Sequence, residues 1–115
     1  MVEAKMKLLT RTEEIILAAV WILKENAYGI AINQFIKGRT GLNWKFGSIY
    51  TPLGRLVKNG YIRTHEGAPT PERGGRRKIY YELTKDGLEA LQEIQRIHNS
   101  VWSHMPALDT RGKNE

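Results

Sequence analysis

The stretch Ser48-Ile49-Tyr50-Thr51-Pro52-Leu53-Gly54-Arg55-Leu56-Val57-Lys58-Asn59-Gly60-Tyr61-Ile62-Arg63 holds a helix, its stop signal and the start of a strand. Ile49, Leu53, Leu56 and Val57 recur at i, i+4, i+7 and i+8, the spacing that brings side chains onto one side of an α-helix. Ser48, Thr51, Arg55 and Lys58 recur on the opposite side, so one face is oily and the other polar and basic. Pro52 and Gly54 oppose the helix, because proline removes a backbone donor and glycine costs up to about 1 kcal/mol relative to alanine. The pattern therefore predicts a helix that starts between Asn43 and Ser48 with a kinked first turn. Asn59-Gly60 stops it, and residues 61–66 alternate faces as a strand does.

Upstream, residues 28–37 read as a short helix with Ile32, Phe35 and Ile36 inward, closing in a Gly38-Arg39-Thr40-Gly41 loop. Before that, Thr10-Arg11-Thr12-Glu13 has the form of a capping box, in which threonine and glutamate satisfy each other's backbone donors at a helix start. Glu13-Glu14 fits such an N-terminus better than general acid–base work. Ile15, Ile16, Ala19, Val20, Ile22 and Leu23 follow on more than one face, which predicts a first helix set deep in the core. Residues 1–9 carry little pattern and read as a flexible arm.

Downstream, residues 67–76 form a loop and residues 77–83 a second strand, with Ile79, Tyr81 and Leu83 on one face and Lys78, Tyr80 and Glu82 on the other. Thr84 caps a last helix over 85–105, roughly 30 Å long at about 1.5 Å per residue, stopped by Pro106. Residues 107–115 read as a polar tail. The expected fold class is mostly α with a small β-hairpin (α+β). Three helices and a hairpin over 10–84 are the order of a winged helix-turn-helix, and 85–106 would be a C-terminal dimerisation helix.

The composition sets the outer limits. A chain of 115 residues, 41% hydrophobic and 26% charged, is the size of one ordinary globular domain, which excludes a multidomain enzyme. Absence of cysteine excludes disulfides and thiolate chemistry and fits the cytoplasm. The longest apolar run, 15–23, is too short for a bilayer span, so no membrane partner is expected. The formal charge is +6, and the segment from Arg39 to Lys78 holds nine basic and two acidic residues, leaving the remainder slightly negative. Such concentration is what a localised anion-binding surface requires.

Double-stranded DNA is the expected polyanion. Lys45, Ser48, Tyr50, Thr51, Arg55 and Lys58 would form the recognition helix's face, with Arg55 the first candidate for a base contact. In Glu72-Arg73-Gly74-Gly75-Arg76-Arg77-Lys78, the paired glycines let backbone approach a surface, while Arg73, Arg76, Arg77 and Lys78 offer phosphate contacts. Set between two strands, that run reads as a DNA-binding wing rather than a nuclear-localisation or general polyanion patch. His65, His98 and His104 lack zinc-type spacing, and neither a phosphate-cradling glycine loop nor a nucleophile elbow is present. No metal, cofactor or enzymatic activity is expected.

Several of these stretches resemble the PadR-like winged-helix transcriptional regulators: Tyr28-Gly29, Ser48-Ile49-Tyr50, Leu53-Gly54-Arg55-Leu56, Asn59-Gly60-Tyr61-Ile62, and the run from Glu72 through Thr84-Lys85-Asp86-Gly87. The resemblance covers about residues 12–102. It implies a prokaryotic repressor-type protein that dimerises through its last helix, of the subgroup without a long C-terminal helical domain. The chain departs from the family pattern where Thr51 separates Tyr50 from Pro52, and where Lys45 replaces a serine-like cap.

The last helix supports a homodimer on its own residues. Leu88, Leu91, His98, Trp102 and Met105 form one seam, while Ala90, Ile94, Ile97 and Val101 form another about 100° away. One small domain covers one seam, so the expected dimer interface comprises Leu88, Leu91, Ile94, His98, Val101, Trp102 and Met105. Some relatives hold flat aromatic ligands between their final helices, which makes His98 and Trp102 a candidate pocket for a small aromatic inducer; plain packing of the indole is the competing reading. The competing function is a winged-helix protein–protein adaptor that does not bind DNA.

Overall fold

The computed structural model describes residues 8–69 and 77–108. The expected arm at 1–7, the wing loop at 70–76 and the tail from 109 lie outside the described residues. The elements are α1 (Arg11–Leu23), a 3₁₀ turn (Lys24–Asn26), α2 (Gly29–Thr40), α3 (Phe46–Lys58), β1 (Ile62–Pro69), β2 (Arg77–Leu83) and α4 (Lys85–Trp102). The two strands form one antiparallel hairpin, with Ile62 opposite Leu83, His65 opposite Tyr80, and an irregularity between Glu66 and Pro69. Beyond β2's free edge, Tyr28 forms a bridge to Tyr80, and the Tyr81 N–H donates to the Ala27 carbonyl at 2.8 Å. Together these contacts build a four-helix winged-helix domain of the α+β class.

The capping box forms as the sequence implies: the Glu13 N–H donates to Thr10 Oγ1 at 3.1 Å, and the Thr10 N–H to Glu13 Oε1 at 2.8 Å. At the end of α3, the Tyr61 N–H reaches the Leu56 carbonyl at 2.9 Å and the Gly60 N–H reaches Val57 at 3.1 Å. That pair of bonds is a Schellman stop, which needs the left-handed backbone that Gly60 adopts at φ 85°. Thr84 ties this stop to α4. Its Oγ1 donates to the Gly60 carbonyl at 2.6 Å and accepts from the Gly87 N–H at 3.0 Å, capping α4.

Four expectations in the first three helices and the hairpin need correction. α2 continues through Gly38 to Thr40 and ends at Gly41, φ 74°, because nothing at Gly38 stops a helix while Gly41 supplies the left-handed residue that does. Pro52 lies well inside α3 and is buried, rather than in a kinked first turn. β1 extends past residue 66 to Pro69. α1 is not core on every side: Ile16, Leu17, Ala19 and Val20 are buried, whereas Trp21 is 44% and Ile22 51% exposed, because no element among the described residues fully covers that flank.

The core gathers Ile16, Leu17 and Val20 of α1, Ile32 and Ile36 of α2, Ile49, Leu53 and Leu56 of α3, and Ile62 and Leu83 of the hairpin. α4 divides along its axis rather than around it, contrary to the two-seam expectation. In its first half Ala90 is buried, and Leu88, Leu91 and Ile94 pack partly on the domain's own core. In its second half His98 reaches Glu14 of α1, while Ile97, Val101 and Trp102, with Met105 past the helix end, are exposed. An 18-residue helix spans about 27 Å at 1.5 Å per residue.

Candidate nucleic-acid interface

Burial of Ile49, Leu53 and Leu56 fixes which way α3 faces. The opposite stripe is open to solvent: Lys45 at the helix cap, then Ser48, Thr51, Arg55 and Lys58, all exposed. Their intervals of three and four residues keep them on one side of the helix. Tyr50 sits at the flank of this stripe, half-exposed, with its phenol ring over the start of α2. A Cβ at Gly29 would overlap the Tyr50 hydroxyl, so glycine there lets α3 approach the α2 N-terminus. The sequence did not mark this contact except through the juxtaposition of Tyr28-Gly29 with a distant tyrosine.

Arg55 is not simply solvated. Its Nε donates to Glu13 Oε2 at 3.0 Å, while the arginine side chain stays 48% exposed and that of the glutamate 7%. Among the described residues, Glu13 is the hydrogen-bond partner of the Arg55 guanidinium and engages Nε, which leaves the two Nη groups to a side chain that is half open to solvent. Burial acts to raise the Glu13 pKa, but the Thr10 backbone N–H and the Arg55 guanidinium outweigh it and hold the carboxyl below its ordinary value of 4.5. A depressed carboxylate contributes stability that is complete above its unfolded pKa and is lost as pH falls through the folded one. Denaturant titrations between about pH 5 and pH 3 are therefore expected to show the wild type losing more stability than Glu13→Gln.

The hairpin carries two further cations. Lys78 Nζ lies 4.1 Å from the centre of the Tyr28 ring, and Arg77 Nη1 is 3.4 Å from Glu66 Oε1. Tyr28 meets Tyr80 edge-on at 5.6 Å, and Tyr80 stacks on His65 at the same separation. Tyr28, Gly29, Ile30, Tyr50, Lys78, Ile79 and Tyr81 line a shallow cavity of about 270 Å³. It opens beside the first turn of α2, whose cap makes no side-chain hydrogen bond. Of the expected wing residues, Arg73, Gly74, Gly75 and Arg76 lie outside the described residues. Tyr50 of α3, the start of α2 and the loop-side half of β2 thus share one surface.

On α4, His98 Nε2 is 3.1 Å from Glu14 Oε1 of α1, and the His98 and Trp102 rings are 6.3 Å apart. Leu88, Leu91, Ile94 and His98 also line an open groove of about 650 Å³ whose other wall is Glu14, Ile15, Ala18, Trp21 and Ile22 of α1. Val101, Trp102 and Met105 continue the apolar surface beyond it. No helix among the described residues is long and apolar enough to cross a membrane.

Comparisons with known proteins agree with this frame. A model of the Transcriptional regulator PadR-like family matches residues 16–93. No curated protein matches the chain. Among solved structures, a PadR family transcription regulator from Clostridium difficile is 25% identical, with a TM-score of 0.63 over 78% of this chain and 91% of that one. A PadR-like transcriptional regulator from Bacillus cereus is 24% identical, TM-score 0.65, over 77% and 84% of the two chains. A winged-helix DNA-binding protein from STIV shares the fold at 19% identity and TM-score 0.68, over 87% of this chain and all of that one. With the family match spanning α1 to the first half of α4, and the hairpin and three core helices in the arrangement that match requires, the chain belongs to the PadR-like family of transcriptional regulators.

Proposed function

We propose that this regulator is a homodimer that binds double-stranded DNA sequence-specifically and represses transcription by occupying its operator. The observation that carries the reading is the two-faced α3: its apolar side is locked in the core, and its polar and basic side is the exposed one. Ser48, Thr51 and Arg55 would meet base edges in the major groove, with Tyr50 at the groove wall. Lys45 and Lys58 at the two ends of α3, with Arg77, Lys78 and the wing residues Arg73, Gly74, Gly75 and Arg76, would lie on phosphates. The start of α2, which has no side-chain cap, favours a phosphate as well, since the first N–H groups of a helix and its dipole both attract an anion.

Dimerisation is supported by the second half of α4, where large apolar side chains stand in solvent, and by the groove between α1 and α4. In the dimer the interface would gather Leu88, Leu91, Ile94, His98, Val101, Trp102 and Met105. A flat aromatic inducer would fit between the paired helices near His98 and Trp102, and tryptophan fluorescence that stays constant across a panel of planar hydrophobic compounds would contradict that part.

Selection of bound sequences from a random duplex pool tests the DNA reading. The expected product is a near-palindrome whose half-sites are centred about one or two helical turns apart, the spacing a two-fold dimer of recognition helices imposes. A pool that shows no enrichment would remove sequence-specific binding.

A further inference from the structure

We propose that Glu13 is a positioning residue for DNA recognition: it holds Arg55 by one edge, so that the guanidinium meets a base with its two Nη groups. The inference rests on the reading of α3 as the DNA-contacting helix. A capping-box glutamate needs only one oxygen for its task, and Oε1 performs it by accepting from the Thr10 N–H at 2.8 Å. The other oxygen, Oε2, crosses to α3 and accepts from Arg55 Nε at 3.0 Å. Glu13 is 6% exposed and is the one buried charged residue among the described residues. Burial without a partner would be costly for a carboxylate; here both oxygens are bonded, and the rotamer is fixed from two sides.

The consequence for Arg55 is geometric. A guanidinium offers a carboxylate or a guanine either its Nε–Nη side or its Nη–Nη end. With Nε occupied by Glu13, the Nη–Nη end is left, on a side chain that is half-exposed. A long side chain that would otherwise sample many rotamers is held in place before DNA arrives, which spares about 0.5–1.5 kcal/mol of ordering cost on binding, a factor of about two to ten in affinity. The effect applies only to duplexes carrying the matching base, so it appears as discrimination.

The test compares Glu13→Gln, Thr10→Ala and Arg55→Lys with wild type, each titrated by fluorescence anisotropy with a selected duplex and a random one, and each melted thermally. Glutamine can replace glutamate in a capping box, yet its amide cannot keep Oε2's acceptor role toward Arg55 without sacrificing the cap. Glu13→Gln is expected to lower the selected-to-random affinity ratio about two- to tenfold, with random-duplex affinity unchanged or raised by loss of a negative charge. Thr10→Ala, which weakens the cap and leaves the Arg55 bond, should lower the melting temperature and keep the ratio. Arg55→Lys keeps a charge for Glu13 but has no fork, and should lose about tenfold or more in the ratio, a readout that stands should Glu13→Gln fold poorly. A wild-type ratio in Glu13→Gln, an equal loss in Thr10→Ala, or full discrimination by Arg55→Lys would overturn the proposal. A wild type that binds all duplexes alike would instead overturn the DNA reading on which it rests.

Discussion

Alanine at Gly87 is expected to destabilise the domain by about 2–4 kcal/mol, although the same exchange in an ordinary helix stabilises by about 1 kcal/mol. Gly87 is in the first turn of α4, and a Cβ there would overlap the Tyr61 carbonyl oxygen and come within 3.4 Å of Leu83 Cδ2. Tyr61 cannot yield cheaply, because its carbonyl accepts from the Thr84 N–H at 3.1 Å and its own N–H closes the α3 stop. Relief would break the junction where α3, β1, β2 and α4 meet. Gly54 provides the contrast: it is exposed on α3, with nothing within 4 Å of the position its Cβ would take. Gly54→Ala should therefore raise stability by about 0.5–1 kcal/mol. Denaturant midpoints at constant m-value check both signs, and a stabilised Gly87→Ala would show that α4 does not dock on the hairpin as described.

The second large effect is expected at the end of α4. Val101 is 61% and Trp102 56% exposed, and Ile97 and Met105 extend the same surface. Isolated apolar side chains in solvent are ordinary, but a contiguous set beside an apolar groove marks an interaction face. In a two-fold interface each substitution appears twice, so Val101→Glu with Trp102→Glu would set four carboxylates near the axis. Sedimentation is expected to show a monomer that retains the wild-type fold. Its affinity for a full operator should fall by about 10²–10⁴, the advantage lost when two linked half-site contacts become independent. A variant that stays dimeric would place the interface elsewhere.

The elements that the sequence announced most clearly are those whose signal is local. Thr10 and Glu13 are three residues apart, and their capping box forms; Ile49, Leu53 and Leu56 repeat at helical spacing, and all three are buried. Legibility fell where the outcome depends on a partner far along the chain. Glu13 reads as a cap and nothing more, because the arginine it holds is 42 positions away. Ile22 reads as core by composition, yet which side of α1 is covered depends on where α2, α3 and the hairpin pack. The two seams of α4 were visible, but their burial changes along the helix because its first half is the part that packs on the core. Lys78 reads as a free cation, and its seat over Tyr28 follows from a bridge between α2's cap and β2 that periodicity does not encode.

If α3 is the DNA-binding helix, its open stripe is the surface that meets the duplex. The measurement that bears on this is the affinity for the selected duplex at about 50 and 200 mM salt, for wild type and for a protein with Lys45, Ser48, Thr51 and Lys58 all changed to alanine. Two protomers per duplex are expected, with a wild-type affinity that drops by about 10³-fold or more between those salts. For the stripped variant, which keeps Arg55, a reduced discrimination is expected and a salt slope flatter by about 3.6, from four fewer phosphate contacts per dimer. Unchanged discrimination and an unchanged slope in that variant would contradict that assignment of the stripe.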